Sequence, residues 1–202
     1  MRSENREVCY TCYRPKSSCM CEHIHPLKTR TRFVLLMHPK EFKRTKNGTG
    51  HFTRLSLKQC DMFVGIDFTD HTKINQIIED PSNLCYVLYP HEESINLNKE
   101  KIGEDHKQTV IFLIDATWPC SRAMLTASPN IDALKKISFS HEEVSGFKFK
   151  KQPEAYCLST IESTLCVLKL LNEKGNEEID SQSLNDFLLP FKKMVEYQLA
   201  CQ

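Results

Sequence analysis

The sequence has neither an excess of charge of one sign nor a long hydrophobic run. Its 27 lysine and arginine residues nearly balance 26 aspartate and glutamate residues, which gives a formal net charge of +1. A protein without a global basic field binds nucleic acid only through local patches. Since no apolar run approaches the roughly 20 residues that cross a bilayer, we expect no membrane partner.

The first residues, MRSENREVCYTC, also lack an apolar signal region. We therefore expect a cytoplasmic protein whose thiols stay reduced. The ten cysteines are then not a disulfide framework, and they serve as metal ligands, core residues or surface thiols. With 202 residues, of which 40% are hydrophobic and 26% charged, the composition is typical of one globular domain with a small appendage.

A cluster of cysteines occupies the stretch CYTCYRPKSSCMC near the N-terminus. A C-x-x-C pair is followed, after a turn-forming segment, by a tighter C-x-C pair. The members are Cys9, Cys12, Cys19 and Cys21. Four thiolates at tetrahedral distance match structural zinc, so we predict a zinc knuckle within a cysteine-rich segment at residues 1–30. The alternatives are four incidental cysteines, or His23 or His25 in place of one cysteine.

Continuous apolar runs alternate with helical patterns after residue 30. The runs RFVLLMH, MFVGID, LCYVLYP and VIFLID each end at a polar residue, glycine or proline. Runs without alternation are typical of strands buried on both faces, as in a parallel sheet. The segments GHFTRLSLKQC and HTKINQIIED, which follow the first two runs, have helical patterns. We predict an α/β fold with a mostly parallel sheet flanked by helices.

The C-terminal part of the chain is predicted to be helical. Ser159 and Glu162 form an S-x-x-E capping box at the start of one helix, and Gly175 is a C-cap at its end. The last apolar-periodic segment contains Pro190, which we expect to kink or divide it.

The run Val110–Ile114 leads straight into Asp115, and Trp118, the single tryptophan, follows three residues later. Ligands of parallel sheets bind outside the carboxyl ends of the strands. Asp115 is therefore our candidate for a catalytic base, because a carboxylate can accept a proton from a ligand within hydrogen-bond reach. It could instead cap the helix that opens near Pro119, or orient a ligand. Trp118 could stack on a base or could only form part of the pocket wall.

Short motifs occur along the chain in the order CYTCYRP…CMC, HPKE, LYP, DATW and QPEAYCLSTIES. This ordered set resembles the DTW-domain family, named for an Asp-x-Thr-Trp signature that is here Asp115, Thr117 and Trp118. The resemblance runs from Cys9 to about Lys169. Family members are tRNA-uridine aminocarboxypropyltransferases, which transfer the 3-amino-3-carboxypropyl group of S-adenosylmethionine to N3 of a uridine and release methylthioadenosine.

The family is similar to SPOUT methyltransferases. The resemblance therefore implies a SPOUT-like catalytic domain at residues 31–202 with a C-terminal trefoil knot, a rare exception to the usual rules of chain topology. Two alternatives stay open: an RNA methyltransferase on the same scaffold, or a non-catalytic zinc-containing RNA-binding module. The sequence does not decide the uridine position, the tRNA species, or whether the protein is a monomer or a homodimer.

The resemblance also implies the residues that bind each substrate. S-adenosylmethionine is expected on loops after successive strands, formed by Leu88, Tyr89, Pro90, Asp115, Thr117, Trp118, Leu158, Ser159 and Thr160. The last three begin a helix, whose free N–H groups suit adenine or a carboxylate. The expected tRNA contacts are His38, Glu41, Arg44, Asn47, Arg122, Lys148 and Lys150. In FKFKK, alternation would place the lysines on one face of a strand.

Overall fold

A computed structural model describes residues 7–43, 48–141 and 158–201. Its strands are β1 Arg32–Met37, β2 Cys60–Val64, β3 Asn83–Leu88, β4 Ile95–Asn96, β5 Gln108–Asp115 and β6 Lys135–Ser138. They form one sheet in the order β2-β1-β5-β3-β6-β4, and all neighbouring strands are parallel. The predicted parallel α/β sheet is therefore confirmed.

Helices cover both faces of this sheet. The described α-helices are α1 Pro39–Lys43, α2 Gly50–Ser56, α3 Thr72–Glu79, α4 Trp118–Ala127, α5 Pro129–Asp132, α6 Thr160–Glu173, α7 Ser181–Asp186 and α8 Leu189–Ala200. One core packs α2, α6, α7 and α8 on the sheet, and the other packs α3, α4 and α5 on the opposite face. The neighbouring strands β1 and β5 both lie in the interior of the sheet and are buried over most of their length, which explains their unbroken apolar runs.

The predicted helix boundaries in the C-terminal part are confirmed. Helix α6 begins with the capping box formed by Ser159 and Glu162. Gly175 follows its C-cap with a φ of 75°, the left-handed conformation that glycine adopts without strain. Pro190 lies in the first turn of α8, so it divides the segment into α7 and α8. No helix in the described ranges is long and apolar enough to cross a membrane.

Arg14 attaches the cysteine-rich segment to the body of the protein. Its side chain is 1% exposed, and its guanidinium lies 4.2 Å from the centroid of the Phe52 ring in α2. Nη2 donates to the backbone carbonyl of Gly48 and to Sδ of Met194 in α8, each at 3.1 Å. Burial lowers the pKa of Arg14 to about 10, which still leaves the group charged at neutral pH. The domain boundary near residue 30 stays a prediction.

A buried carboxylate holds the chain as it enters β1. Glu177, in the loop after α6, is 2% exposed. Its two oxygens accept hydrogen bonds from the backbone N–H groups of Arg30 and Thr31, each at 2.7 Å. Its neighbour Glu178 instead forms an exposed ion pair with the Arg30 side chain at 2.5 Å.

These two adjacent glutamates provide a matched test of stability. Glu177→Ala should lower the free energy of unfolding by about 2–4 kcal/mol, because two backbone donors lose their partner in a buried place. Glu178→Ala should cost less than about 1 kcal/mol, as is usual for an exposed ion pair. Urea denaturation of both variants measures the difference, and equal losses would contradict the structural role of Glu177.

Candidate functional site at the carboxyl edge of the sheet

The carboxyl ends of four parallel strands meet at one edge of the sheet. The register places Met37 of β1 beside Asp115 of β5, and Leu88 of β3 beside Ile137 of β6. The direction in which strands are added to the sheet also changes here. The chain passes from β1 to β2 on one side of β5, and then crosses to β3 on the other side of β5. Open α/β sheets bind ligands at such switch points.

A cavity of about 300 Å³ opens at this edge. Four separate parts of the chain contribute to its wall: the end of β3, the end of β5 with the β5–α4 connection, the end of β6 and the start of α6. Its lining residues are Leu88, Tyr89, Pro90, Leu113, Ile114, Ala116, Trp118, Ser121, Ser138, Phe139, His141, Leu158, Thr160 and Ser163. Of the residues that the resemblance implied for S-adenosylmethionine, six therefore lie together, namely Leu88, Tyr89, Pro90, Trp118, Leu158 and Thr160.

Two aromatic side chains form one wall of the cavity. The ring centroids of Tyr89 and Trp118 are 6.1 Å apart, and their planes meet at 63°. Trp118 is the first residue of α4 and is 47% exposed, so much of its ring is open to a ligand. Thr117 is the N-cap residue of α4, and Asp115 therefore does not cap that helix.

Asp115 lies directly behind the cavity wall. It is 8% exposed, and among the described residues it is not part of the lining. Its Oδ1 accepts a hydrogen bond of 2.5 Å from the hydroxyl of Thr160, which does line the cavity. Its backbone carbonyl accepts from the N–H of His38 at 3.0 Å. The Thr160 hydroxyl thus stands between the cavity and the carboxylate.

The start of α6, which carries Thr160, is fixed by its own cap. The backbone N–H and the hydroxyl of Ser159 both donate to Oε2 of Glu162, at 2.8 Å and 2.6 Å. Glu162 is itself buried. Ser159 therefore contributes to the position of Thr160, and it lies next to the cavity without appearing among the lining side chains.

Gly50 lies against the second oxygen of the Asp115 carboxylate. A Cβ at this first residue of α2 would overlap Oδ2 of Asp115 and would lie 2.5 Å from Cε of Met37. Only glycine allows the helix backbone to approach the carboxylate so closely. Asp115 is consequently held between α2 and α6, with one oxygen facing each helix.

The residues that the resemblance implied for tRNA are only partly described. His38 follows β1 in a buried position, and its Nδ1 accepts from the N–H of Lys40 at 3.1 Å. Glu41 is half-buried in α1, and Arg122 is exposed one turn after Trp118 in α4. Arg44, Asn47, Lys148 and Lys150 lie outside the described residues, as does the FKFKK segment.

Part of the cavity wall was not predicted. Ser138 ends β6 and Phe139 follows it, and the ring of His141 lies 5.7 Å from that of Phe139. Ser138 shares a hydrogen bond of 2.7 Å with Ser94. The sequence indicates this wall only through the short stretch KKISFS, in which Ile137 and Phe139 are apolar. So short a pattern predicts a turn as readily as a strand.

The four predicted metal ligands converge in the N-terminal segment. The Sγ atoms of Cys9, Cys12, Cys19 and Cys21 all lie within 4.8 Å of one another. The Cys9–Cys21 and Cys12–Cys19 sulfur distances are both 3.8 Å. Tetrahedral coordination with zinc–sulfur bonds of about 2.3 Å places sulfurs roughly 3.8 Å apart. The cluster can therefore hold a metal ion such as zinc.

The chemistry of these thiols also suits a cation. Backbone N–H groups of Cys12 and Thr11 lower the pKa of Cys9 to about 6, whereas burial raises the pKa of Cys12 and of Cys21. Four crowded thiols of this kind become thiolates together only when a positive ion compensates their charge. All nine cysteines in the described ranges are free of disulfides.

Comparison with known proteins identifies the family. Residues 6–199 match the DTW domain, so the chain belongs to the DTW domain family. It is 28% identical over 201 residues to tRNA-uridine aminocarboxypropyltransferase 2 of Drosophila melanogaster, covering 96% of this chain and 76% of that protein. No solved structure gives a significant match.

Two mammalian proteins with the same name are also similar. The Mus musculus protein is 26% identical over 177 residues, which cover 86% of this chain and 59% of the relative. The Macaca fascicularis protein is 24% identical over 202 residues, which cover 98% of this chain and 65% of the relative. The chain thus spans less than two thirds of the length of these two relatives.

The cysteine cluster gives a direct prediction. Freshly purified, reduced protein should contain one zinc ion per chain, measured by mass spectrometry of the metal content. Cys12→Ser combined with Cys19→Ser should lose it, because two hydroxyls replace half of the thiolate ligands. Cys201→Ser, at an exposed cysteine far along the chain, is the control and should keep the metal. Wild-type protein without metal would contradict the assignment.

Proposed function

We propose that this protein transfers the 3-amino-3-carboxypropyl group of S-adenosylmethionine to N3 of a uridine in tRNA. The observation that carries the proposal is the arrangement of the cavity, the Thr160 hydroxyl and the buried carboxylate of Asp115. Membership of the DTW domain family and the names of the relatives support the same activity.

The cavity suits S-adenosylmethionine in size and chemistry. Its volume of about 300 Å³ lies at the lower end of the range for small-molecule sites. Tyr89 and Trp118 offer aromatic surface to the adenine. The N–H groups in the first turn of α6, which begins at Thr160, can bind its acceptors or the carboxylate. We assign Leu88, Pro90, Thr117 and Ser159 to the same site.

The reaction needs a proton acceptor and a precise orientation. Protonated N3 of uridine is a poor nucleophile, and the sulfonium activates all three of its carbons, so the pocket must present the correct methylene. In our mechanism Thr160 accepts the N3 proton while its own proton passes to Asp115. N3 then bonds to the methylene carbon, the carbon–sulfur bond breaks toward sulfur, and methylthioadenosine leaves. Asp115 finally gives its proton to solvent.

The remaining parts of the proposal concern the surroundings of this site. Binding of tRNA would use local contacts, since the net charge is only +1. The expected contacts are His38, Glu41, Arg44, Asn47, Arg122, Lys148 and Lys150.

Structural zinc would hold the N-terminal segment. A SPOUT-like trefoil knot in the C-terminal part belongs to the same proposal, in which Leu158 and Thr160 line the cavity together with the ends of β3 and β5. A cytoplasmic location stays a prediction.

The product identifies the reaction. Protein incubated with tRNA and S-adenosylmethionine should yield aminocarboxypropyl-uridine together with an equal amount of methylthioadenosine, both measured by mass spectrometry. Methylated nucleoside with S-adenosylhomocysteine would instead identify a methyltransferase. Tight tRNA binding without either product would identify a non-catalytic module and refute the proposed transfer.

The role of Asp115 predicts a change in rate. Asp115→Asn keeps the shape of the side chain but removes the proton acceptor, so single-turnover transfer should slow by about 10²–10⁴-fold. Affinity for S-adenosylmethionine and tRNA should change much less. The rate should partly recover as pH rises, because hydroxide can then remove the N3 proton.

Thr160 provides the matched pair for this test. Thr160→Val removes the hydroxyl from the relay at nearly constant volume and should slow transfer to a similar extent as Asp115→Asn. Thr160→Ser retains the hydroxyl and should stay close to wild type. If Thr160→Val were nearly normal, the carboxylate would act without the relay. If Asp115→Asn mainly weakened S-adenosylmethionine binding, Asp115 would orient the co-substrate rather than act as the base.

A further inference from the structure

A second, larger cavity lies away from the strand-end site, between the cysteine-rich segment and the edge strand β2. It has a volume of about 520 Å³ and is open to solvent on one side. Its lining includes Tyr10 and Tyr13 of the cysteine-rich segment, His51 and Arg54 of α2, and Lys73 of α3. We call this cavity the knuckle groove.

A buried nitrogen in the knuckle groove has no partner. His51 is 3% exposed, and its Nε2 makes no hydrogen bond within the part of the chain that the structure describes. The ring donates instead to the backbone carbonyl of Phe42, and burial lowers the pKa of His51. The neutral ring therefore carries its proton on Nδ1, which leaves Nε2 as a hydrogen-bond acceptor. A ligand with an N–H or O–H donor would satisfy it.

Aromatic side chains at the entrance of the groove are unusually exposed. Tyr10 is 90% exposed and Tyr13 is 46% exposed. The Tyr13 ring lies 5.4 Å from that of His51 and 5.9 Å from that of Phe42. Exposed aromatic faces beside a polar groove are the usual stacking surfaces for unpaired bases.

Two cations that line the groove are available to an anion. Arg54 and Lys73 are exposed, and neither forms an ion pair in the described ranges. The nearby carboxylate of Asp61 is already paired with Arg32 at 2.7 Å. The charge that remains at the groove is therefore positive, which suits a phosphate.

We propose that the knuckle groove binds one unpaired nucleotide of the RNA substrate, at a point separate from the reacting uridine. The base stacks on Tyr10 and Tyr13 and donates a hydrogen bond to Nε2 of His51, while Arg54 and Lys73 attract its phosphates. This inference rests on the proposed function for the nature of the substrate. In this proposal the cysteine cluster positions part of the RNA-binding surface, because Tyr10 lies between two of its ligands, Cys9 and Cys12.

Direct RNA binding tests the groove without any turnover. Unfractionated tRNA and oligouridylate serve as ligands in filter binding over a range of salt concentrations. Tyr10→Ala should weaken binding by about 5- to 100-fold, the usual loss for one stacked base. Since Tyr10 is almost fully exposed, this variant should fold normally.

The charge contribution is measured in the same experiment. Arg54→Ala with Lys73→Ala should reduce the slope of log K against log salt by about 1.4–1.8, because two phosphate contacts are lost. The matched control is Lys99→Ala with Lys101→Ala, two exposed lysines that follow β4 at the opposite edge of the sheet. This control should retain the wild-type slope. His51→Phe, which keeps a ring and removes the acceptor, should weaken binding as well.

Wild-type affinity and salt slope in both Tyr10→Ala and Arg54→Ala/Lys73→Ala would overturn the proposal. An equal loss in the Lys99→Ala/Lys101→Ala control would also overturn it, since the effect would then be one of total charge. The outcome is independent of the product assay. Weaker RNA binding by the groove variants with no aminocarboxypropyl product would retain the groove and reject the transferase activity.

Discussion

The hydrogen bond between Thr160 and Asp115 joins the two halves of the strand-end site. It connects the carboxyl end of β5 with the first residue of α6, at an oxygen–oxygen distance of 2.5 Å. The same carboxylate faces Gly50 at the start of α2. Since one buried side chain sets the position of two helices and of one cavity wall, a change at Asp115 should affect both packing and chemistry. The rate and binding measurements above separate these effects.

The long apolar runs were sufficient to predict the central sheet. The runs that form β1 and β5 are buried over most of their length, whereas in β3 only Tyr86 and Val87 are buried. Such unbroken apolar runs are a strong sequence signal for strands. Strands β4 and β6 were not predicted, because two and four residues are too short to show a period. The capping box and Pro190 were predicted correctly, since helix ends depend on local hydrogen bonds.

Contacts between distant segments were beyond the reach of the sequence patterns. Asp115, Trp118 and Thr160 were all selected, but nothing local indicated that Thr160 would stand between the carboxylate and the cavity. The approach of Gly50 to Asp115 and the wall formed by Ser138 and His141 depend on the order of strands in the sheet. The knuckle groove likewise combines residues of the cysteine turn with residues of α2 and α3, and no motif connects them.

The low net charge is compatible with RNA binding because the available cations are local. Arg54 and Lys73 lie at the knuckle groove, while Arg122 lies one turn from Trp118. The buried Arg14 links the cysteine-rich segment to α2 and α8, so the groove and the strand-end cavity share one framework. An RNA bound at both places would be held by two separated contacts, which orients it better than one.

We propose that S-adenosylmethionine binds in the cavity beside Trp118. As Trp118 is the only tryptophan and 47% exposed at the cavity wall, its fluorescence reports on this site alone. Titration with S-adenosylmethionine should produce a saturable change in emission, with the same dissociation constant that calorimetry measures. Calorimetric binding with unchanged tryptophan emission would place the co-substrate elsewhere and contradict the account.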